Sequence, residues 1–136
     1  MAGETDLNLL LAGMEPELAS APYGYVTLPP GRLPPEGLAA FATVAEAEGL
    51  TLVAPVAELE RLGLSAGAHW ARISLTIHSD LSAVGLTAAF SAALTGAGIS
   101  ANVIAGFYHD HLFVQWDRRD EAMTALRSLA AGVSDA

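Results

Sequence analysis

The chain has 136 residues, of which 52% are hydrophobic and 15% charged, and it contains no cysteine. Apolar side chains are therefore plentiful enough for a compact core, which excludes disorder as the main state. Acidic residues outnumber basic ones by 15 to 6, and the net charge is −9. With no basic surface to neutralise phosphates, we expect neither nucleic acid nor membranes as partners. The lack of Cys excludes disulfides, thiolate catalysis and cysteine-ligated metals, and it fits the cytoplasmic location that we expect.

The N-terminal half predicts a mixture of strands and helices. It opens with acidic residues, and its apolar run Leu7–Ala12 is too short for a secretory signal, so we expect none. Strands are predicted at Glu17–Ala19, Tyr23–Leu28 and Leu50–Ala54, and helices at about Pro35–Glu48 and Val56–Leu62. Four prolines between residues 29 and 35 predict a rigid connector after the second strand.

The C-terminal half has a clearer pattern. Apolar and polar residues alternate over Trp70–His78, which predicts a strand. A helical stripe then follows three candidate capping side chains, Ser79, Asp80 and Ser82. The predicted elements after that strand are a helix over about Leu86–Ala97, strands at Ser100–Gly106 and His111–Trp116, and a helix over Arg118–Ala131 capped by Asp117.

The order strand, helix, strand, strand, helix is that of a ferredoxin-like βαββαβ unit without its last strand. We therefore expect the N-terminal half to lend a strand to the C-terminal sheet. The predicted fold class is α+β, with two intertwined units in tandem. Small residues over 64–68 suggest the boundary, which gives an N-terminal unit at 1–64 and a C-terminal unit at 65–136.

Polar residues are predicted to meet at one edge of this sheet. The first and third strands of such a unit are antiparallel neighbours, so His78 should lie close to the segment His109–His111. The loop Ser79–Val84 and the following helix N-terminus belong to the same edge, and helix N-terminal N–H groups favour a carboxylate or another anion. Gly85 would lie in the first turn of that helix, where it leaves room for a ligand.

Three interpretations of this edge remain open. The residues could simply be structural, with His109 and Asp110 in a hydrogen-bonded turn. They could hold a metal through His78, His109 and His111, although His-x-His alone is a weak motif. The interpretation that we favour is a small anionic or zwitterionic ligand, held by loop amides and the helix dipole and read by His or Asp side chains.

Three segments carry a family resemblance: 77–90 (IHSDLSAVGLTAAF), 97–106 (AGISANVIAG) and 108–114 (YHDHLFV). They resemble the small stand-alone ACT-domain proteins with two tandem units, which are similar in layout to the regulatory part of aspartate kinases. The segments 5–14 and 45–53 also fit that group. The resemblance implies two ferredoxin-like units, sheets paired side by side, and an amino acid or related metabolite bound between ACT units.

The resemblance also implies which residues contact the ligand. In ACT domains these are the loop after the first strand, here His78–Val84, the following glycine, Gly85, and a position on the second strand, here Asn102. Together with the edge residues, the expected ligand-binding set is His78, Ser79, Asp80, Leu81, Ser82, Val84, Gly85, Leu86, Asn102, His109, Asp110 and His111.

These observations predict a non-enzymatic regulatory module that binds a small molecule, most simply an amino acid, without a cofactor or metal. A homodimer is the default assembly, because pairing across a sheet edge is isologous. Two alternatives stay open: a metal-dependent enzyme that uses His78, His109 and His111, and a ligand-free dimerisation or interaction module.

Overall fold

A computed structural model describes residues 6–76 and 85–134. The elements in chain order are α1 Leu7–Gly13, β1 Pro16–Leu18, β2 Tyr23–Leu28, β3 Ala42–Glu46, β4 Gly49–Pro55, α2 Val56–Arg61, β5 Trp70–Leu75, α3 Leu86–Gly96, β6 Asn102–Ala105, β7 Asp110–Gln115, a 3₁₀ turn Trp116–Arg118, and α4 Arg119–Ser134. Within these residues, no helix is both long enough and apolar enough to cross a membrane.

Packing divides the chain into two compact units. The composite unit combines the described residues up to Ala19 with those from Ala71 onward, and the central unit is Ser20–Trp70. The grouping follows packing and not chain order, because α1 and β1 belong with the C-terminal elements. The division of the sequence at residues 64–65 stays a prediction.

The composite unit has the α+β, ferredoxin-like arrangement that the sequence predicts. Its strand order is β1-β5-β7-β6, and α3 and α4 follow β5 and β7 in the chain. β1 pairs antiparallel with β5, with Glu17 opposite Ser74. This strand occupies the position of the missing last strand, so the prediction that the N-terminal half lends a strand is confirmed.

Alternating burial along the strands determines where the core of this unit lies. Ile73 and Leu75 of β5, with Leu112 and Val114 of β7, are buried, whereas the residues between them are partly exposed or belong to the other face. Against this face pack Leu86, Phe90 and Leu94 of α3, Ala122 and Leu126 of α4, and Leu11 and Met14 of α1. The opposite face of the sheet therefore carries Arg72, Ser74 and His111.

The central unit contains a three-stranded antiparallel sheet in the order β3-β4-β2, with α2 following β4. Strands are confirmed at Tyr23–Leu28 and around Leu50–Ala54, but the helix predicted at Pro35–Glu48 is wrong. Ala42–Glu46 is a strand, and it forms a hairpin with β4. At Gly49, which begins β4, a Cβ atom would collide with the carbonyl oxygen of Leu28, so only glycine fits where β4 approaches the end of β2.

Candidate ligand-binding site

Gly85, one of the predicted ligand contacts, lies at the start of α3. It is the N-cap residue of α3, and its φ is +94°. The prediction that Gly85 lies in the first turn of the helix is therefore wrong. No side chain caps this helix terminus among the described residues, although the Gly85 carbonyl accepts the N–H of Ala89 at 2.9 Å. A Cβ atom at Gly85 would lie 3.1 Å from Cδ2 of Leu7, so α1 packs beside the terminus.

The next residue, Leu86, is only 4% exposed and packs into the core. Any contact with a ligand would therefore have to come from its backbone N–H. The other predicted residues of this loop lie outside the described residues, and their role stays a prediction: His78, Ser79, Asp80, Leu81, Ser82 and Val84. The candidate caps of α3 belong to the same undescribed segment.

A hydrogen bond joins β5 to β7 on the face opposite the helices. Ser74 Oγ lies 2.7 Å from His111 Nδ1. This contact places the end of β5 beside the start of β7, as the strand order requires. The hairpin that precedes β7 is closed by the N–H of Gly106, which donates to the His109 carbonyl at 2.9 Å. A Cβ atom at Gly106 would lie 2.8 Å from that oxygen, which explains the glycine.

Burial shifts the titration of two groups at this hairpin. The pKa of His111 is lowered, chiefly by burial and further by the positive charges of Arg72 and His109. The pKa of Asp110 is raised by burial, an effect that His109 partly opposes. Nδ1 of His109 is buried and makes no hydrogen bond within the described part of the chain. A neutral His111 ring follows at neutral pH.

The pleat of the sheet separates the predicted site residues. Asp110 shares its face with Leu112, which packs against the helices, so Asp110 is on the side of Gly85. His111 is on the other face, and the register of β6 with β7 puts Asn102 there too, opposite Phe113. The structure thus places the start of β7 at the predicted edge of the sheet. Asp110 lies on one face there, whereas His111 and Asn102 lie on the other.

The described residues do not form a metal centre. Residues 6–76 and 85–134 contain no group of three His, Cys, Asp or Glu side chains that could hold a metal. The three-histidine hypothesis needs His78, which lies outside those residues. It therefore stays a prediction without support from the geometry of His109 and His111.

Sequence reasoning missed two features of this region. Ser74 occupies a polar position in the alternating strand, but its partner could be recognised only after β7 was known to be its neighbour. The apolar run from Leu7 forms the helix α1, which the sequence analysis does not predict. Asp6, which precedes this run, is the residue that could indicate a helix from the sequence. Its carboxylate caps α1 by accepting the Leu9 N–H at 3.1 Å.

Comparisons with known proteins agree with this architecture. Two sequence models described as the ACT domain match the chain in tandem, over residues 2–71 and 65–128. A crystal structure from Vibrio cholerae, of a protein of unknown function described as a possible transport protein, is 44% identical. The match covers 91% of this chain and 95% of that one, with a TM-score of 0.78. No match was found among curated proteins.

More distant structures share the fold. A protein from Agrobacterium tumefaciens has a TM-score of 0.74 at 15% identity, over 86% of this chain and 89% of that one. The regulatory subunit of aspartate kinase from Thermus flavus has a TM-score of 0.56 at 12% identity, over 95% of this chain and 99% of that one. The two tandem matches span most of the sequence. This chain therefore belongs to the ACT-domain family.

Proposed function

We propose that this protein is a regulatory module that binds an amino acid at the N-terminus of α3 and acts as a homodimer. The observation that carries the proposal is the tandem pair of ACT domains combined with the terminus at Gly85. The fold shared with an aspartate kinase regulatory subunit supports a regulatory role without catalysis. We expect the module to work in the cytoplasm, in keeping with its lack of Cys.

The α3 terminus suits the carboxylate of an amino acid. The first N–H groups of a helix have no partner within the helix, and its dipole favours negative charge there. Gly85 adopts a positive φ that other residues rarely adopt, and no side chain of the described residues caps the terminus. In the proposal, residues 78–84 complete the binding site. Asp110, which lies on the face of the sheet that packs against the helices, binds the ammonium group.

The exposed strand β6 supports the proposed dimer. It ends the sheet of the composite unit and carries neither proline nor charge, whereas natural edge strands usually carry such protection. Val103 on this strand is 36% exposed, and the next hairpin turn displays Phe107 and Tyr108 at 67% and 64%. Antiparallel pairing of β6 with its copy would cover this surface with two-fold symmetry.

Titration calorimetry of the full chain with each of the twenty amino acids tests the ligand-binding part. We expect one amino acid, or a group of chemically similar amino acids, to bind, and Asp110→Asn to weaken that binding. Asp117→Asn removes the same charge from the 3₁₀ turn and should leave the affinity unchanged. Equal affinity in both variants would place the ligand elsewhere.

Light scattering tests the dimer separately. Val103→Lys should convert a dimer to a monomer, since it introduces two charges across the proposed symmetry axis. Val44→Lys is the control, because Val44 lies on the edge strand β3 of the central unit and is 48% exposed. A monomeric wild-type chain, or a dimer that only Val44→Lys disrupts, contradicts pairing through β6.

A further inference from the structure

A groove lies between β1 and α4 in the composite unit, away from the hairpin described above. Its volume is about 440 Å³, which is within the usual range of ligand pockets. Pro16 and Leu18 of β1 form one wall, and Met123, which is 6% exposed, lies on the wall made by α4. Glu17 of β1 and three residues of α4, Asp120, Thr124 and Arg127, complete the lining.

The charges of this groove are not neutralised within the described part of the protein. The side chains of Glu17, Asp120 and Arg127, which line the groove, make no hydrogen bond and no ion pair there. Asp120 and Arg127 cannot easily reach each other. They are seven residues apart on one helix, so about 10.5 Å separates their levels along its axis. By contrast, Arg61 and Arg118 form ion pairs with Glu58 and Glu121, each three residues away.

The outer edge of β1 supplies backbone hydrogen-bonding groups to the same region. The N–H of Ala19 donates to the carbonyl of Arg72 at 2.9 Å, and the N–H of Thr76 donates to the carbonyl of Glu15 at 3.2 Å. The backbone N–H and C=O groups of the odd-numbered residues in this segment therefore point towards β5. Backbone groups alternate along a strand, so the Leu18 N–H and the carbonyls of Pro16 and Leu18 face away from it.

From these features we propose that the groove binds a short zwitterionic peptide as an added strand beside β1. Three residues in extended conformation span about 10 Å, which matches the separation between Asp120 and Arg127. The terminal ammonium of such a peptide lies near Asp120 and its terminal carboxylate near Arg127. The peptide backbone forms hydrogen bonds with the outer edge of β1. This site is separate from the amino-acid site proposed at α3.

Trialanine with free termini is the probe, titrated into the ¹⁵N-labelled full chain and followed by NMR. We expect shifts at the Leu18 amide and along 120–127. N-acetyl-trialanine amide, which lacks both charges, and free alanine, whose charges are too close together, should bind about tenfold more weakly, or about 1.4 kcal/mol. Trialanine that causes no shifts at millimolar concentration, or shifts elsewhere only, overturns the proposal.

Two variants and a control locate the binding. Arg127→Gln and Asp120→Asn should each weaken trialanine binding about tenfold, which is of the order expected for a hydrogen bond to a charged group. Arg32→Gln is the matched control. Arg32 also makes no side-chain hydrogen bond or ion pair among the described residues, and it lines a cavity of about 310 Å³ in the central unit. An equal loss in the control would indicate non-specific electrostatics and contradict the site.

Light scattering separates the peptide from a second copy of the chain as the occupant. If the groove binds a peptide, Arg127→Gln leaves the molecular mass unchanged. A mass that falls in this variant would make the groove a contact between copies and would overturn the peptide proposal.

Discussion

His111 is partly buried, unlike a typical surface histidine. Its ring shares a hydrogen bond with Ser74, and its pKa is lowered by burial and by Arg72. A histidine with a lowered pKa in the folded state binds fewer protons there than in the unfolded chain. Its contribution to stability is therefore present above the unfolded pKa of about 6.5 and is lost as the pH falls towards the folded value.

We expect the wild-type chain to lose free energy of unfolding between pH 7.5 and 5.5, and His111→Gln to lose less, since Gln has no proton to take up. Urea denaturation at several pH values measures this difference. His69→Gln is the control, because His69 is exposed. Asp110 has a raised pKa and acts with the opposite sign, in a more acidic window above 3.8. Identical pH slopes for wild type and His111→Gln would contradict this account.

Gly85 provides a second prediction about a single residue. Gly85→Ala should lower the free energy of unfolding by about 1–2 kcal/mol, since alanine is strained at a positive φ and its Cβ would press on Leu7. Gly96→Ala, at the end of the same helix, meets no atom within 4 Å and should be neutral or stabilising by up to about 1 kcal/mol. Chemical denaturation of both variants checks this, and equal effects would exclude the backbone explanation.

The sequence could identify candidate residues here but not their partners. Alternation along β5 separates Ile73 from Ser74, so the polar face was visible before the fold was known. Its contact with His111 depends on which strand lies next to β5 and on the register. The alternation of a strand does predict that Asp110 and His111 lie on opposite faces. Spacing cannot show which of the two faces packs against α3.

At the scale of elements, α1 is a structural part of the composite unit. It has seven residues, too few for stability as an isolated helix, so tertiary packing must hold it. Leu11 is 6% exposed within the core that α3 and α4 share, whereas Leu9 is 59% exposed. Leu11→Ala should therefore cost about 2–5 kcal/mol of unfolding free energy.

Leu9→Ala is the control for α1 within the same helix, and its effect should stay within about 0.5 kcal/mol. Thermal and urea denaturation of the two variants measure the difference. If Leu11→Ala were as mild as Leu9→Ala, α1 would not be packed in the core.

Elements with a strong local pattern were predictable, and elements decided by distant pairing were not. The alternation over β5 and the stripe of α3 are local, and both elements occur within their predicted ranges. The contribution of β1 to the C-terminal sheet is also predictable, because the C-terminal half lacks the last strand of a ferredoxin-like unit. Ala42–Glu46 is rich in Ala and Glu, which favour a helix, but hydrogen bonding to β4 overrides that weak preference.

For the whole molecule, the acidic composition argues against nucleic-acid binding and leaves three hypotheses: a small-molecule module, a metal enzyme or an interaction module. Tandem ACT domains favour the first of these. The net charge of −9 offers no long-range attraction to an anionic ligand, so in the proposed site the attraction comes from local N–H groups at the start of α3. Composition alone could not identify the ligand, because its recognition depends on a few backbone and side-chain groups.

Thermal denaturation of the untagged full chain with each amino acid in turn tests the central claim most directly. A ligand that binds only the folded state at 100 times its dissociation constant stabilises it by about 2.7 kcal/mol. We predict a clear rise in Tm with one amino acid or one closely related group, and no dependence on added chelator. A Tm that no amino acid raises at 10 mM, or that rises only with divalent metal, would contradict the account.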